Sequence, residues 1–304
     1  MALSAGNRLR ALFQSGKAIQ IPGTFNGLAA RIAADQGFNA LYLSGGAISA
    51  ASGVPDIGIC SLEYFSHRIR EVASVSGLPV IADADTGFGE AENVTRTVKE
   101  YIHAGAGALH IEDQSFPKRC GHLEGKDLIP IDHMSEKIQR ARSAAGSTGF
   151  IICARTDARG VEGFESALKR AKAYVSSGAE MIFPEGLRDI DEFSRFATEM
   201  QSFGDLGLSP SGGPYLLANM TEFGKTDHIH VSDFEKVGYS AVIYPVSTLR
   251  VAMRAIENML KDLKVDGTLR GQEKNMMTRK ELYKALHYEP GIEWQYPSPS
   301  NQVE

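Results

Sequence analysis

Cysteine is scarce in this chain of 304 residues: three occur, Cys60, Cys120 and Cys153. Their number is odd and no pair has C-x-x-C spacing, so neither a disulfide framework nor a structural zinc site is indicated. A reducing compartment is the expected surrounding. Basic tracts are missing too, and 32 Lys+Arg against 37 Asp+Glu leave a net charge of −5. That balance gives no electrostatic footprint for nucleic acid or for an anionic membrane surface. No apolar run approaches the ~18 residues of a membrane-spanning helix. The opening stretch MALSAGNRLRALFQSGK interrupts its apolar residues with Asn, Arg, Gln and Lys, and so lacks the apolar core of a secretory signal. These absences point to a cytoplasmic protein acting on small molecules, with a short organellar presequence as the one targeting alternative left open.

What is present is enough apolar material, 43% of residues, to build a core without staples. Eight short runs rich in β-branched residues recur: AIQIPGT, ALYLSGG, PVIADADTG, ALHIEDQ, FIICARTDA, EMIFPEG, YLLANMTE and AVIYPVS. They are continuous rather than alternating, as strands covered on both faces are. The segments between them, such as NVTRTVKEYIHAGAGA, space apolar residues three or four apart and stop at Gly, as helices do. Eight such units at this length predict a single α/β domain over 1–304, a (β/α)8 TIM barrel. A helix from Thr248 to about Lys264 and another from Thr278 follow the eighth strand, so 265–304 reads as a C-terminal helical extension. SFGDLGLSPSGGPY reads as a long loop before strand seven.

In such a barrel, residues just past the C-terminal strand ends converge on one mouth. Here those positions carry Tyr42, Ser44, Gly45 and Gly46, then Asp83 and Asp85, then His110, Glu112 and Asp113, then Arg155 and Asp157, then Glu185, and finally Asn219 and Thr221. Asp83 and Asp85 lie two apart and share one side of an extended strand. Their repulsion suits a hard divalent cation; the alternative is a pair of turn-forming Asp residues, against which Glu112 and Glu185 weigh. Residues 115–131 read as a movable lid, with Gly121 and Gly125 permitting the motion. Within it, Lys118, Arg119 and His122 surround Cys120, and cationic neighbours make a thiol reactive; a solvated charged loop is the bland alternative. Arg155 suits a substrate carboxylate, or else a salt bridge to Asp157 or Glu185. Cys153, inside an apolar run, reads as core, and Cys60 has no charged flank.

The motifs K-R-C-G-H, Y-L-S-G-G, D-A-D-T-G-F-G, I-E-D-Q, A-R-T-D-A, F-P-E and L-A-N-M-T-E-F-G-K-T together resemble the isocitrate lyase and phosphoenolpyruvate mutase superfamily, and within it the 2-methylisocitrate lyase branch. The resemblance runs from about Ile21 to Tyr288. It implies a barrel whose last helix is swapped between subunits of a homotetramer, a dimer of helix-swapped dimers. It implies that Ser44, Gly45 and Gly46 bind the keto-acid part of the substrate, and that Asp83 and Asp85 hold Mg²⁺, with Mn²⁺ as the alternative and Glu112 in the shell. Cys120 matches the lid cysteine, with Lys118, Gly121 and His122 beside it, while Arg155, Glu185, Asn219, Thr221, Arg250 and Arg279 match residues that contact substrate.

The implied reaction splits a 2-hydroxy tricarboxylate, 2-methylisocitrate, into pyruvate and succinate, a step of propionate catabolism through the methylcitrate cycle. It needs a base for the C2 hydroxyl, for which Tyr42 is the first expectation and Asp56 or Glu185 the alternatives, Asp56 also being a substrate contact. The anion left on the succinate half calls for Arg155, Asn219, Thr221 and His122, and Cys120 for its protonation. The chain departs from that branch after K-R-C-G-H, reading LEGKDLIP where many such lyases carry R-P-N-K-A, and S-F-P-K precedes the Cys. That wording is similar to branches cleaving other 2-hydroxy acids, so 2,3-dimethylmalate or isocitrate cleavage and oxaloacetate decarboxylation stay open. Phosphoenolpyruvate mutase and phosphonopyruvate hydrolase are opposed by Cys120, since that branch usually has Asn in the lid.

Overall fold

In the computed structural model, which describes residues 3–119, 125–203 and 207–294, each of the eight runs is a strand. They are β1 (Ile19–Pro22), β2 (Leu41–Leu43), β3 (Val80–Asp83), β4 (Ala106–Glu112), β5 (Ile151–Thr156), β6 (Met181–Pro184), β7 (Tyr215–Asn219) and β8 (Ala241–Tyr244). All pair in parallel, in the order β1-β8-β7-β6-β5-β4-β3-β2. The ring closes where Gly23 bridges Tyr42 and the Thr24 N–H donates to the Tyr42 carbonyl at 2.9 Å. The fold is the (β/α)8 barrel that the runs predict. Every residue of β4 and β5 is buried, because one face packs on helices and the other fills the interior.

The helices are α1 (Ala5–Phe13), α2 (Gly27–Asp35), α3 (Gly45–Ala51), α4 (Leu62–Ser76), α5 (Ala91–Ala104), α6 (Ile131–Ala145), α7 (Ala158–Val161), α8 (Phe164–Ser176), α9 (Ile190–Gln201), α10 (Val231–Lys236), α11 (Ser247–Asp266) and α12 (Arg279–Ala285). Their starts follow the capping rule. Asn26, Ser44, Ser61 and Asp189 each accept from a backbone N–H three residues on, satisfying a donor the helix itself cannot. No helix among the described residues is long and apolar enough to cross a membrane.

The sequence reading places no element before β1, yet α1 is there and seals the barrel. Leu9 and Phe13 are buried with Ile21, Ile81, Ile151, Met181 and Tyr215 in the interior cluster. Arg10 pairs with Glu180 at 2.9 Å. The close approach of α1 to β4 requires Gly107, where a Cβ would lie 2.7 Å from the Ala5 carbonyl oxygen. A second, larger core lies between the strands and the surrounding helices. At the other end of the chain, α12 opens with a capping box between Thr278 and Glu281 and rests against α2, with His287 Nε2 2.8 Å from Asp35. The 20-residue α11 buries Leu249 alone.

Candidate active site

The β3–α5 turn bends sharply, with φ of 45° at Asp85, 96° at Gly87 and 58° at Phe88. Asp83 accepts from the Asp85 N–H at 3.0 Å through one oxygen and from the Gly45 N–H at 3.0 Å through the other. Burial alone would raise the Asp83 pKa, but neighbouring His110, Lys118 and Arg155 and the Asp85 N–H bring it down to about 2. Asp85 moves the other way, up to about 7, because burial and the charge of Asp83 outweigh Lys118. Gly45 is fitted to this pair: a Cβ there would stand 2.9 Å from Asp83 Oδ2 and 3.2 Å from Asp85 Oδ1.

Across the mouth, β5 presents Arg155. Its guanidinium donates to both oxygens of Asp157, at 2.9 and 3.2 Å, and lies 3.3 Å from Glu112 and 3.6 Å from Glu185. Burial works against its charge, yet the three carboxylates outweigh burial and hold the proton firmly. Glu185 accepts from Asn219 Nδ2 at 3.1 Å, and Thr221 donates to Asn219 Oδ1 at 2.6 Å. Glu185, Asn219 and Thr221 are thus hydrogen-bonded in series at the ends of β6 and β7, and the Arg155 guanidinium adds ion pairs to the carboxylates at the ends of β4, β5 and β6.

The segment expected to form the lid leaves the end of β4. Its two limbs pair: Gln114 bridges Leu128, the Ser115 N–H donates to Asp127 at 2.8 Å and the Ile129 N–H to Asp113 at 2.9 Å. The Gln114 side chain grips the Arg119 backbone twice, giving to its carbonyl and accepting from its N–H, both at 2.9 Å. That grip sets Lys118 down into the mouth, where it is buried, donates to Asp56 and lies 2.6 Å from Asp85. On the second limb, Lys126 donates to Asp157 at 2.6 Å. Cys120, Gly121 and His122 lie outside the described residues.

Glu112 is buried, and neither of its carboxylate oxygens has a hydrogen-bond partner among the described residues. Burial raises its pKa well above the usual range despite Arg155. An orphaned carboxylate beside Asp83 and Asp85 is an all-oxygen donor set, which suits a hard divalent cation. Among the described residues, no three His, Cys, Asp or Glu side chains converge into a preformed cage. A cleft of about 470 Å³ reaches the mouth at Asp85 and Gln114 and runs outward between Leu62, Phe88 and Phe116.

The structure brings together Ser44, Gly45, Gly46, Asp56, Asp83, Asp85, Glu112 and Lys118 on one side, and Arg155, Glu185, Asn219 and Thr221 on the other. Three of the expected residues have surroundings that bear on the roles expected of them. Tyr42 does not lose its proton easily: burial first, then Asp83, push its pKa well above 10.0 against the pull of Arg155, and its hydroxyl is engaged with His110 Nε2 at 2.7 Å. Burial in turn lowers His110 to about 4. Arg279 stands exposed on α12, the helix resting on α2. Arg250 is exposed, turned to Glu222 at 3.2 Å and over the Phe223 ring. The sequence reading missed Gln114 and Lys126; the partner of Lys126 lies 31 positions along the chain, a spacing with no local signal.

A family model described as phosphoenolpyruvate phosphomutase matches residues 9–264. A probable 2-methylisocitrate lyase of Corynebacterium glutamicum is 46% identical over 270 residues, 89% of this chain and 85% of that protein. The 2-methylisocitrate lyase of Bacillus subtilis is 43% identical over 281 residues, 92% of this chain and 89% of that one. Among solved structures, 2,3-dimethylmalate lyase superposes with a TM-score of 0.85 at 32% identity, covering 94% of this chain and 92% of that one. Phosphonopyruvate hydrolase, solved with oxalate and Mg²⁺, gives a TM-score of 0.81 at 29% identity, covering 94% and 95%. The mouth with its paired Asp residues, the buried arginine and these matches along nearly the whole barrel lead to one assignment: the chain belongs to the phosphoenolpyruvate phosphomutase family, in the isocitrate lyase and phosphoenolpyruvate mutase superfamily.

Proposed function

We propose that this protein is a carbon–carbon lyase that cleaves 2-methylisocitrate to pyruvate and succinate with the help of Mg²⁺. The observation that carries the reading is the mouth itself: a buried guanidinium faces a carboxylate-rich turn, in a chain whose relatives over nine-tenths of its length bear that enzyme's name. Asp83 and Asp85 would hold the ion, with Glu112 behind them, and the ion when bound supplies a positive charge that polarises the oxygen of the forming pyruvate carbonyl. Gly45 lies against Asp83 and Asp85 and Gly46 against Asp56, and with Ser44 they border the keto-acid end. Two carboxylates at the mouth can take the hydroxyl proton, Asp56 and Glu185. Bond scission leaves an aci-carboxylate on the succinate half, and Arg155, Asn219 and Thr221 meet its charge with preset donors. Lys118 adds a cation there, and Cys120, with Gly121 and His122 next to it in the sequence, returns the proton to carbon.

Rates on a panel of 2-methylisocitrate, isocitrate, 2,3-dimethylmalate, oxaloacetate and phosphonopyruvate, each with Mg²⁺, test this reading. The expected result is the highest kcat/KM on 2-methylisocitrate, with isocitrate, which lacks one methyl group, about 10–200-fold lower. A higher value on dimethylmalate or oxaloacetate would replace the proposed substrate. Gly45→Ala should fold normally, since the position is helical, but press its methyl onto Asp83 and Asp85. Displacement of that order costs roughly 100-fold in kcat/KM, which steady-state kinetics beside a thermal melt would check.

The assembly is proposed as a homotetramer of helix-swapped dimers. Supporting it, α11 exposes Val251, Met253, Ile256, Leu260 and Leu263, a stripe of apolar side chains that a second copy would cover.

A further inference from the structure

Five successive carbonyls, from Asp83 to Gly87, form the turn that carries Asp83 and Asp85, and every one of them is held. The Gly87 N–H takes the Ala84 carbonyl at 2.7 Å, and the Glu112 N–H takes that of Asp85 at 2.9 Å. The other three are held by side chains reaching in from the helix layer. Tyr101 Oη on α5 donates to the Asp83 carbonyl at 2.7 Å, Thr97 Oγ1 on α5 to that of Gly87 at 3.0 Å, and Lys137 Nζ on α6 to that of Thr86 at 3.0 Å. All three side chains are at least 96% buried. None of them is a group the reaction uses, and Lys137 is a buried cation that donates to a neutral carbonyl.

The turn needs restraint. Asp85 sits at a φ of 45°, a conformation that favours glycine and costs a non-glycine residue free energy. Two buried carboxylates two residues apart also repel. Left to itself, the turn would relax toward ordinary φ and spread the carboxylates, and a cation would have to draw them back at the expense of its own affinity. We infer that Tyr101, Thr97 and Lys137 are positioning residues, which hold the Asp83–Asp85 turn from outside the barrel in the shape that takes the divalent ion. The inference rests on the metal assignment above. It also gives α6 a second role, because the helix begins where the lid ends and Lys137 therefore ties the lid's far anchor to the turn.

Calorimetric titration of Mn²⁺ into the full-length protein, without substrate, tests the idea. Tyr101→Phe keeps the ring and loses one hydrogen bond; Lys137→Met keeps the stem. Each is expected to weaken Mn²⁺ binding about tenfold, the worth of one buried hydrogen bond in a preorganised site, with kcat restored at saturating Mn²⁺. Electrostatics alone predicts the reverse for Lys137→Met, since removing a nearby cation should tighten binding. Thr97→Val replaces either variant if it does not fold. Ser76→Ala, which removes a buried 2.7 Å bond to Val72 on α4, should leave binding at the wild-type value. Unchanged or tighter Mn²⁺ binding in the pin variants, or a kcat loss that metal does not restore, would overturn the inference. Wild-type Mn²⁺ binding by Asp85→Asn would instead overturn the metal assignment beneath it.

Discussion

Arg155→Met is expected to destabilise the fold by about 3–5 kcal/mol, the cost of leaving buried charges without their partner, and to abolish turnover. Arg155 is 7% exposed, and its guanidinium stands among Asp157, Glu112 and Glu185, with the Phe183 ring centroid 5.1 Å away. Met fills the volume, so the loss is one of charge rather than of packing. Asp157 retains Lys126, whereas Glu112, ion-paired to Arg155, has no hydrogen-bond partner among the described residues. Protonation of Glu112, whose pKa burial already raises, would relieve the strain, so the unfolding midpoint of the variant in urea should approach that of the wild type as pH falls. Arg155→Lys separates the two roles. It restores the charge and most of the stability but presents a single point where a planar fork reaches Asp157, Glu112 and Glu185 at once, so activity should stay near that of Arg155→Met. A lysine variant with wild-type turnover would show that geometry at this position is unimportant and would remove Arg155 from the anion-stabilising role.

The parts of this molecule legible in sequence are those in which one segment carries its own signal. Eight apolar runs without alternation became eight strands, because a barrel strand is covered on both faces, completely so in β2 to β6. Asp83, Asp85, Glu112, Arg155, Glu185 and Asn219 could be placed at the mouth because the strand-end rule needs only the strand. What stayed hidden depends on pairs. α1 is nine residues long and owes its place to Gly107 and the barrel floor, about a hundred positions away. Lys126 reads as one more charge on a charged loop until its salt bridge to Asp157 is seen. Tyr42 shows the limit of the strand-end rule itself. Its position was legible, but the direction of its pKa depends on how completely β2, His110 and Asp83 enclose it. Arg250 and Arg279 were carried over by motif alone, and motif alone does not say which way an exposed side chain on α11 or α12 turns.

Cys120→Ser is expected to lower kcat by about 10²–10⁴-fold, the usual worth of a placed general acid, while leaving Mn²⁺ and pyruvate binding as in the wild type. The step in question comes after the C2–C3 bond breaks. One carbon of the succinate half then carries charge shared with its carboxylate, and it must gain a proton before water or pyruvate can reach it. In the proposed reaction the Cys120 thiol gives that proton, and cationic residues such as Lys118 and Arg119, which precede it in the sequence, favour a thiolate. Serine is nearly isosteric, but its hydroxyl is far less acidic and its alkoxide far less stable, so the cost falls on proton transfer and not on binding. Reaction in deuterium oxide separates this from a merely structural role. The wild-type enzyme should place one deuterium on the succinate methylene carbon stereospecifically, while residual turnover by Cys120→Ser, protonated by solvent, should give both configurations. A serine variant that retains wild-type kcat and a single configuration would assign the proton to another group, and His122, two residues further along the lid, would be the first to replace.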